Sequence, residues 1–284
     1  MIALWLAAGM TSIALSGDRV LTTSLDGKVQ SWKNGSSRVI ASRDYELYAV
    51  AANGDRIAFC GNSPEINLDG RTLRLPAGWC LSLAFSPDGR TLAAGTSEKQ
   101  VELFDVASGK IARSLDTKWS TSDVAWSPDG KTLATASYGV SLWNAADGSL
   151  LRKLEARAIR AVAFSHDGTR VAAAGRDAYI WSAASGDLLR TIVPEGFAQF
   201  VGEKAVIEPI NVPLLAVDLS PDGKTLATAG SDRLVRIWDI ETGKELQRFE
   251  GHRASITAVR FLPDGIHLVS ASLDRTVRFW TVGQ

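Results

Sequence analysis

Cysteine, histidine and net charge are nearly missing from this chain of 284 residues, and each shortage removes a class of function. There are two cysteines, Cys60 and Cys80. Two in such a length make no disulfide framework, so they read as small buried hydrophobes. Of the three histidines, His166 sits in a turn motif, His252 follows a glycine and His267 lies in an apolar run. A catalytic or zinc site needs such residues to converge, and these occupy three unrelated kinds of position. Lys plus Arg is 31 and Asp plus Glu is 31. That balance suggests no nucleic-acid footprint and no anionic membrane partner, and leaves a local basic patch open. No run approaches about 18 apolar residues, the length that suggests a membrane span. The opening MIALWLAAGM is apolar, but no basic residue precedes it, and a secretory signal needs a charged n-region and a cleavage site. The segment therefore reads as structural. With no signal and no disulfide framework, a cytoplasmic location is favoured. Glycines sit in hairpins rather than ahead of a helix, so there is no phosphate loop.

What is present is repetition. A turn recurs as SPDG at Ser86, Ser127 and Ser220, SHDG at Ser165 and LPDG at Leu262, with weaker copies SGDRV at Ser16 and NGDRI at Asn53. Seven copies divide the chain into units of about 40 residues. An alternating apolar run precedes each turn (LSLAFS, AVAFS, AVDLS), and a second follows it (RTLAAG, KTLATA, TRVAAA). A third run ends on an aromatic residue (VELFD, SLWN, YIWS, VRIWD, VRFW), and ASGK, ADGS, ASGD or ETGK turns the chain into a fourth. Short period-two runs split by turn residues are antiparallel strands, with Pro fixing φ and Gly tolerating positive φ at the reversals.

These residues, with the pair Gly251-His252 and the Trp238-Asp239 dipeptide, resemble the WD40 family of β-propellers over essentially the whole chain. The resemblance implies an all-β, seven-bladed β-propeller of four-stranded antiparallel blades in one domain, residues 1–284. It implies a hydrogen-bonded tetrad of His252, Ser270, Asp274 and Trp280 in the last blade. Partial tetrads are Thr22, Asp26 and Trp32 in the first blade and Thr228, Asp232 and Trp238 in the sixth. These polar residues are scaffold, because a buried Trp N–H and a buried Asp each need a partner. The second blade has no Trp, and the third has Phe104, with Glu98 in the Asp position. The fourth and fifth keep Trp143 and Trp181 but have second hairpins two residues shorter, so no tetrad is expected there. The last unit stops after three strands, and residues 2–8 offer a spare one. The family's habit of completing one terminal blade with the other terminus implies closure by that N-terminal strand, which hides two sheet edges.

Two of the nine tryptophans have no strand role, Trp79 and Trp119, each just ahead of a first strand. In a WD40-like propeller those loops share a face with the second-to-third-strand turns that carry Arg176, Arg233 and Arg275. A longer connection at 191–213, with Phe197 and Phe200, belongs to the same face. The tryptophans either cap the blade ends or, with the arginines, form a recognition surface of the usual aromatic and Arg composition. The resulting expectation is a monomeric, non-catalytic scaffold that binds a protein or peptide on the face bearing the strand d to a and b to c loops, with no cofactor, metal, nucleic acid or membrane. The alternatives are a propeller enzyme or small-ligand binder at the central channel mouth, which clustered carboxylates there would favour, and a sensor domain of a larger signalling protein.

Overall fold

A computed structural model describes residues 9–33, 36–194, 198–201, 204–207 and 213–283. Among these, all regular structure is β, arranged as the blades of a seven-bladed propeller. The first blade runs Met10–Ser16, Arg19–Ser24, Lys28–Lys33 and Ser36–Ser42, called strands a to d, each antiparallel to the one before. The other blades occupy residues 47–74, 80–116, 123–154, 161–192, 214–249 and 256–281 with the same order. The last has three strands among the described residues, ending with Val277–Thr281. The N-terminal strand expected at residues 2–8 lies outside the described residues. A separate two-stranded hairpin, Ala198–Val201 with Lys204–Ile207, lies in the connection between the fifth and sixth blades.

The recurring turn makes its own hydrogen bonds. Ser86 Oγ donates to Asp88 Oδ1 at 2.6 Å, and the Arg90 amide donates to the same oxygen at 3.0 Å. Ser127–Asp129, Ser165–Asp167 and Ser220–Asp222 repeat the pattern. His166 replaces Pro without disturbing it. Gly89 closes the turn at a φ of 68°, where a side chain would be strained. These hydroxyl and amide donors hold the Asp carboxyls below their usual range, Asp167 at about 2. In the last blade Leu262 offers no hydroxyl, and Asp264 accepts from the Ile266 and His267 amides instead.

Each blade is buried on both faces because it packs against two neighbours. The second strands therefore read as unbroken small apolar runs, Thr91–Thr96, Thr132–Ala136 and Arg170–Ala174, with every residue after the first buried. Outer strands such as Ile111–Asp116 alternate. Hydrophobic clusters sit between successive blades, one per junction. The cluster joining Met10, Ile13 and Val20 to Ala258, Val269 and Ala271 closes the ring between the first and last blades.

The junction of the second and third blades corrects the reading of the cysteines. Cys60 and Cys80 are fully buried there, but they form a disulfide, with Cα atoms 5.7 Å apart. Cys60 lies in the second blade's strand b, and Cys80 opens the third blade's strand a. Ring packing sets these positions face to face; counting cysteines cannot show that. The bond removes one of the two reasons for favouring the cytoplasm, since disulfides persist mainly in oxidising compartments.

Candidate binding face

The loops that enter each first strand are tied by backbone hydrogen bonds to the turns between second and third strands, which puts both sets on one face. The amides of Arg43, Asn62, Ser97 and Leu273 donate to the carbonyls of Gly27, Glu46, Trp79 and Ser255. Trp79 and Trp119 flank one such turn. The Trp79 carbonyl accepts from Ser97 N–H at 2.9 Å, and Thr121 N–H, two residues past Trp119, donates to the Thr96 carbonyl at 2.9 Å. Gly78, at a φ of 67°, lies where a Cβ would press on Ser97 Oγ at 2.4 Å, so this close approach needs glycine.

Both tryptophans are open to solvent, Trp79 at 44% and Trp119 at 58%. The Trp119 ring stacks on Tyr138 with centroids 5.7 Å apart, and Tyr138 is itself 56% exposed. Tyr138 sits in the shortened hairpin of the fourth blade, and its carbonyl accepts from Ala158 N–H at 2.8 Å. An aromatic residue in a shortened turn was the available sequence signal for this partner.

Arg176, Arg233 and Arg275 are exposed on the same face, in the turns of the fifth, sixth and seventh blades. Arg233 and Arg275 have φ of 68° and 70°, a left-handed conformation that disfavours their side chains. Three further exposed arginines, Arg157, Arg160 and Arg253, sit in the neighbouring strand-entry loops and escaped the repeat pattern. Phe197 lies outside the described residues. Phe200 falls in the described strand Ala198–Val201, which fixes the position of its backbone.

In the last blade, Trp280 Nε1–H donates to Ser270 Oγ at 2.8 Å. Ser270 Oγ lies 2.7 Å from His252 Nε2, and His252 Nδ1 lies 2.9 Å from Asp274 Oδ2. A neutral ring with its proton on Nδ1 satisfies all three contacts. Burial lowers the His252 pKa despite the opposing pull of Asp274. Asp274, which also accepts from Thr276 and the Arg253 amide, stays well below the carboxylate range although burial opposes this. Trp32 donates to Thr22 at 2.9 Å and Trp238 to Thr228 at 2.7 Å. With no histidine to hold, Asp26 takes Ser24 and Lys28, while Asp232 pairs with the buried Arg236. The fourth blade keeps more than expected: Trp143 donates to Thr135 at 3.0 Å. In the fifth, Ala173 occupies the Thr position, opposite Tyr179 and beside Trp181.

First strands surround a central cavity of about 440 Å³ lined by Asp123, Arg160 and Arg260 among apolar and hydroxyl-bearing residues. Asp123 accepts from its neighbour Val124 N–H at 2.9 Å and from Val162 N–H of the next blade at 3.0 Å. Asp218 accepts from Phe261 N–H, again of the next blade, at 2.8 Å. Burial raises both carboxyls, Asp123 to about 6, with Arg260 opposing the rise. One oxygen of each carboxyl joins two blades. Among the described residues no group of three or more His, Cys, Asp and Glu side chains is placed to hold a metal.

This architecture, with a Trp-to-hydroxyl bond inside each of four blades, defines the class as a WD40-type propeller. Residues 148–182, 211–239 and 243–281 match the family described as WD domain, G-beta repeat. Residues 76–127 match the anaphase-promoting complex subunit 4 WD40 domain. The chain belongs to the WD40-repeat β-propellers. Among characterised proteins it is similar to Protein HIR1 of Candida albicans, 28% identical over 47% of this chain and 17% of that protein. It is similar to autophagy-related protein 16 of Arabidopsis thaliana, 26% identical over 64% of this chain and 34% of that one. It is also similar to pre-mRNA-processing factor 19 homolog 2 of the same plant, 31% identical over 51% and 30%. The matches thus span about a third or less of these relatives' own lengths.

Proposed function

We propose that the chain is a non-catalytic scaffold that binds a protein or peptide through the face bearing the strand d to a and b to c loops. The observation that carries this is the exposed set Trp79 and Trp119, fixed by backbone hydrogen bonds on either side of the third blade's turn, with Tyr138 of the fourth blade's turn stacked on Trp119. A monomer gains little by showing rigid aromatic surface to water, and such residues are common binding anchors. Kinship with WD40 propellers, a family of interaction scaffolds, supports the same reading. The competing reading, chemistry at the channel mouth, is disfavoured because Asp123 and Asp218 are engaged by backbone amides of adjoining blades.

Affinity capture on the immobilised chain, followed by calorimetry with the purified partner, tests the proposal. Trp119→Ala weakens binding by about 2 kcal/mol and leaves the melting temperature unchanged. Substitutions at the Lys131 and Lys224 turns, on the opposite face, leave affinity unchanged. If the opposite-face changes abolish binding and Trp119→Ala does not, the proposed face is wrong.

A further inference from the structure

Six exposed arginines of this face, on the arc from the fourth blade to the seventh, make no ion pair among the described residues, whereas several cations of the opposite face do. There, Arg90 and Lys131 lie within 4.0 and 3.9 Å of Asp88 and Asp129, and Arg19 and Lys33 face Asp55 and Asp18. Arg157, Arg160, Arg176, Arg233, Arg253 and Arg275 are all exposed, and their side chains make no ion pair or hydrogen bond among the described residues. The acids beside them are already engaged. Asp274 is held by His252 and Thr276, and Asp232 by Arg236. Among the described residues of the arc, the exposed Glu155 and Glu250 and the half-buried Asp177, which accepts from Tyr179 O–H, are too few to neutralise six guanidinium groups; Asp44 and Glu98 are exposed farther round the ring.

Backbone strain singles out two of these arginines. Arg233 and Arg275 occupy the position that Gly27 fills in the first blade. All three amides close the same turn, on Gly230, Ser272 and Ser24 carbonyls at 3.2, 3.1 and 3.0 Å. All three have positive φ. Glycine takes that conformation freely, while an arginine there costs on the order of 1 kcal/mol. The loop carrying Arg157 and Arg160 is tied to Tyr138 through Ala158 N–H, so the cationic arc runs directly from the aromatic pair.

We infer that the occupant of this face is an acidic, extended segment of a partner protein, its carboxylates held by the arginine arc and an apolar side chain resting on Trp119 and Tyr138. This rests on the scaffold reading above and adds the chemistry of the partner. Forked guanidinium donors match carboxylates. In a chain of zero net charge, an unpaired cationic arc on one face also steers an acidic partner to that face.

Fluorescence anisotropy with a labelled peptide of glutamates around a central leucine, and its glutamine counterpart, tests this on the full chain. The glutamate peptide binds at least about ten-fold more tightly, a difference of about 1.4 kcal/mol, and binding weakens as salt rises from about 0.05 to about 0.3 M. Arg233→Gly with Arg275→Gly weakens it about ten-fold while the melting temperature holds or rises, because strain is relieved. If that variant melts lower, Arg157→Ala with Arg253→Ala, both at ordinary φ, carries the same test. Equal binding of the two peptides, or indifference to both arginine pairs, overturns the inference. So does tighter binding of a single-stranded oligonucleotide of equal charge. Arginine-dependent self-association in sedimentation also overturns it, with the acidic turns of a second copy as occupant. A partner that depends on Trp119 but not on the arginines removes this inference and leaves the scaffold reading standing.

Discussion

The seventh and second blades secure the same kind of sheet by different chemistry. In the seventh, a polar chain runs Trp280, Ser270, His252, Asp274, joining the third strand to the second and to the entry loop. In the second, Phe59 stands where the seventh has Ser270. Asp69, in a left-handed turn, replaces the tryptophan and accepts from Ile57 N–H at 2.8 Å. No buried polar group is left needing a partner there. The Phe59 ring instead carries Arg43 over it at 5.0 Å, and the next residue, Cys60, is bonded to the third blade. A tetrad stiffens a blade from within; the disulfide ties one blade to the next. The fold tolerates loss of the motif wherever another contact supplies the order that the motif gave.

The sharpest way to break this comparison is to remove the covalent tie. Closing a loop of about 20 residues stabilises by about 3 kcal/mol in the chain-entropy account. Cys60→Ala with Cys80→Ala therefore lowers unfolding stability in denaturant by about that amount. Reductant shifts the parent chain toward the variant and leaves the variant unmoved. Coincident unfolding curves for all four samples would mean that apolar packing alone holds this junction.

The polar tie is worth less. His252→Ala leaves Ser270 and Asp274 each short of one contact in a buried site, a loss of about 2 kcal/mol. Because His252 and Asp274 both have lowered pKa values, their contribution has a definite pH sign. It is present above the unfolded values, near 6.5 and 3.8, and is lost as pH falls below them toward the folded ones. The variant's deficit thus narrows in acid. A deficit that is constant with pH, or absent, would show that the network is open to water.

Seven blades were legible because PDG turns and paired strands recur at one spacing, and each turn makes its own local hydrogen bonds. The tetrad residues were legible for the same reason: Asp lies six positions before Trp on one hairpin. The disulfide was not, because it depends on the angle between two blades, which no local pattern encodes. Nor were the stacking of Tyr138 on Trp119 and the clamps of Asp123 and Asp218, whose partners lie on other loops or blades. Trp79 and Trp119 stood out only by having no strand role, which left capping and recognition equally open until their exposure was known.

The smallest effect contrasts Asp274 with an aspartate of opposite sign. Asp123 is raised to about 6, chiefly by burial, with Arg260 and the amides of Val162 and Val124 pulling the other way. A carboxyl whose folded pKa lies above its unfolded value of 3.8 adds stability that is fully present below about pH 4. That stability is lost as pH rises through about 6. The cavity's arginine and access to water keep the effect below that of the two ties. Asp123→Asn, which keeps one acceptor for an amide and cannot ionise, removes this term. Measured from pH 4 to 7, the stability of the parent chain falls relative to the variant through that window, while the last blade's contribution grows over the same range. If the difference between parent and variant is flat across it, Asp123 is ionised throughout, and its role is that of a charged clamp on the fifth blade.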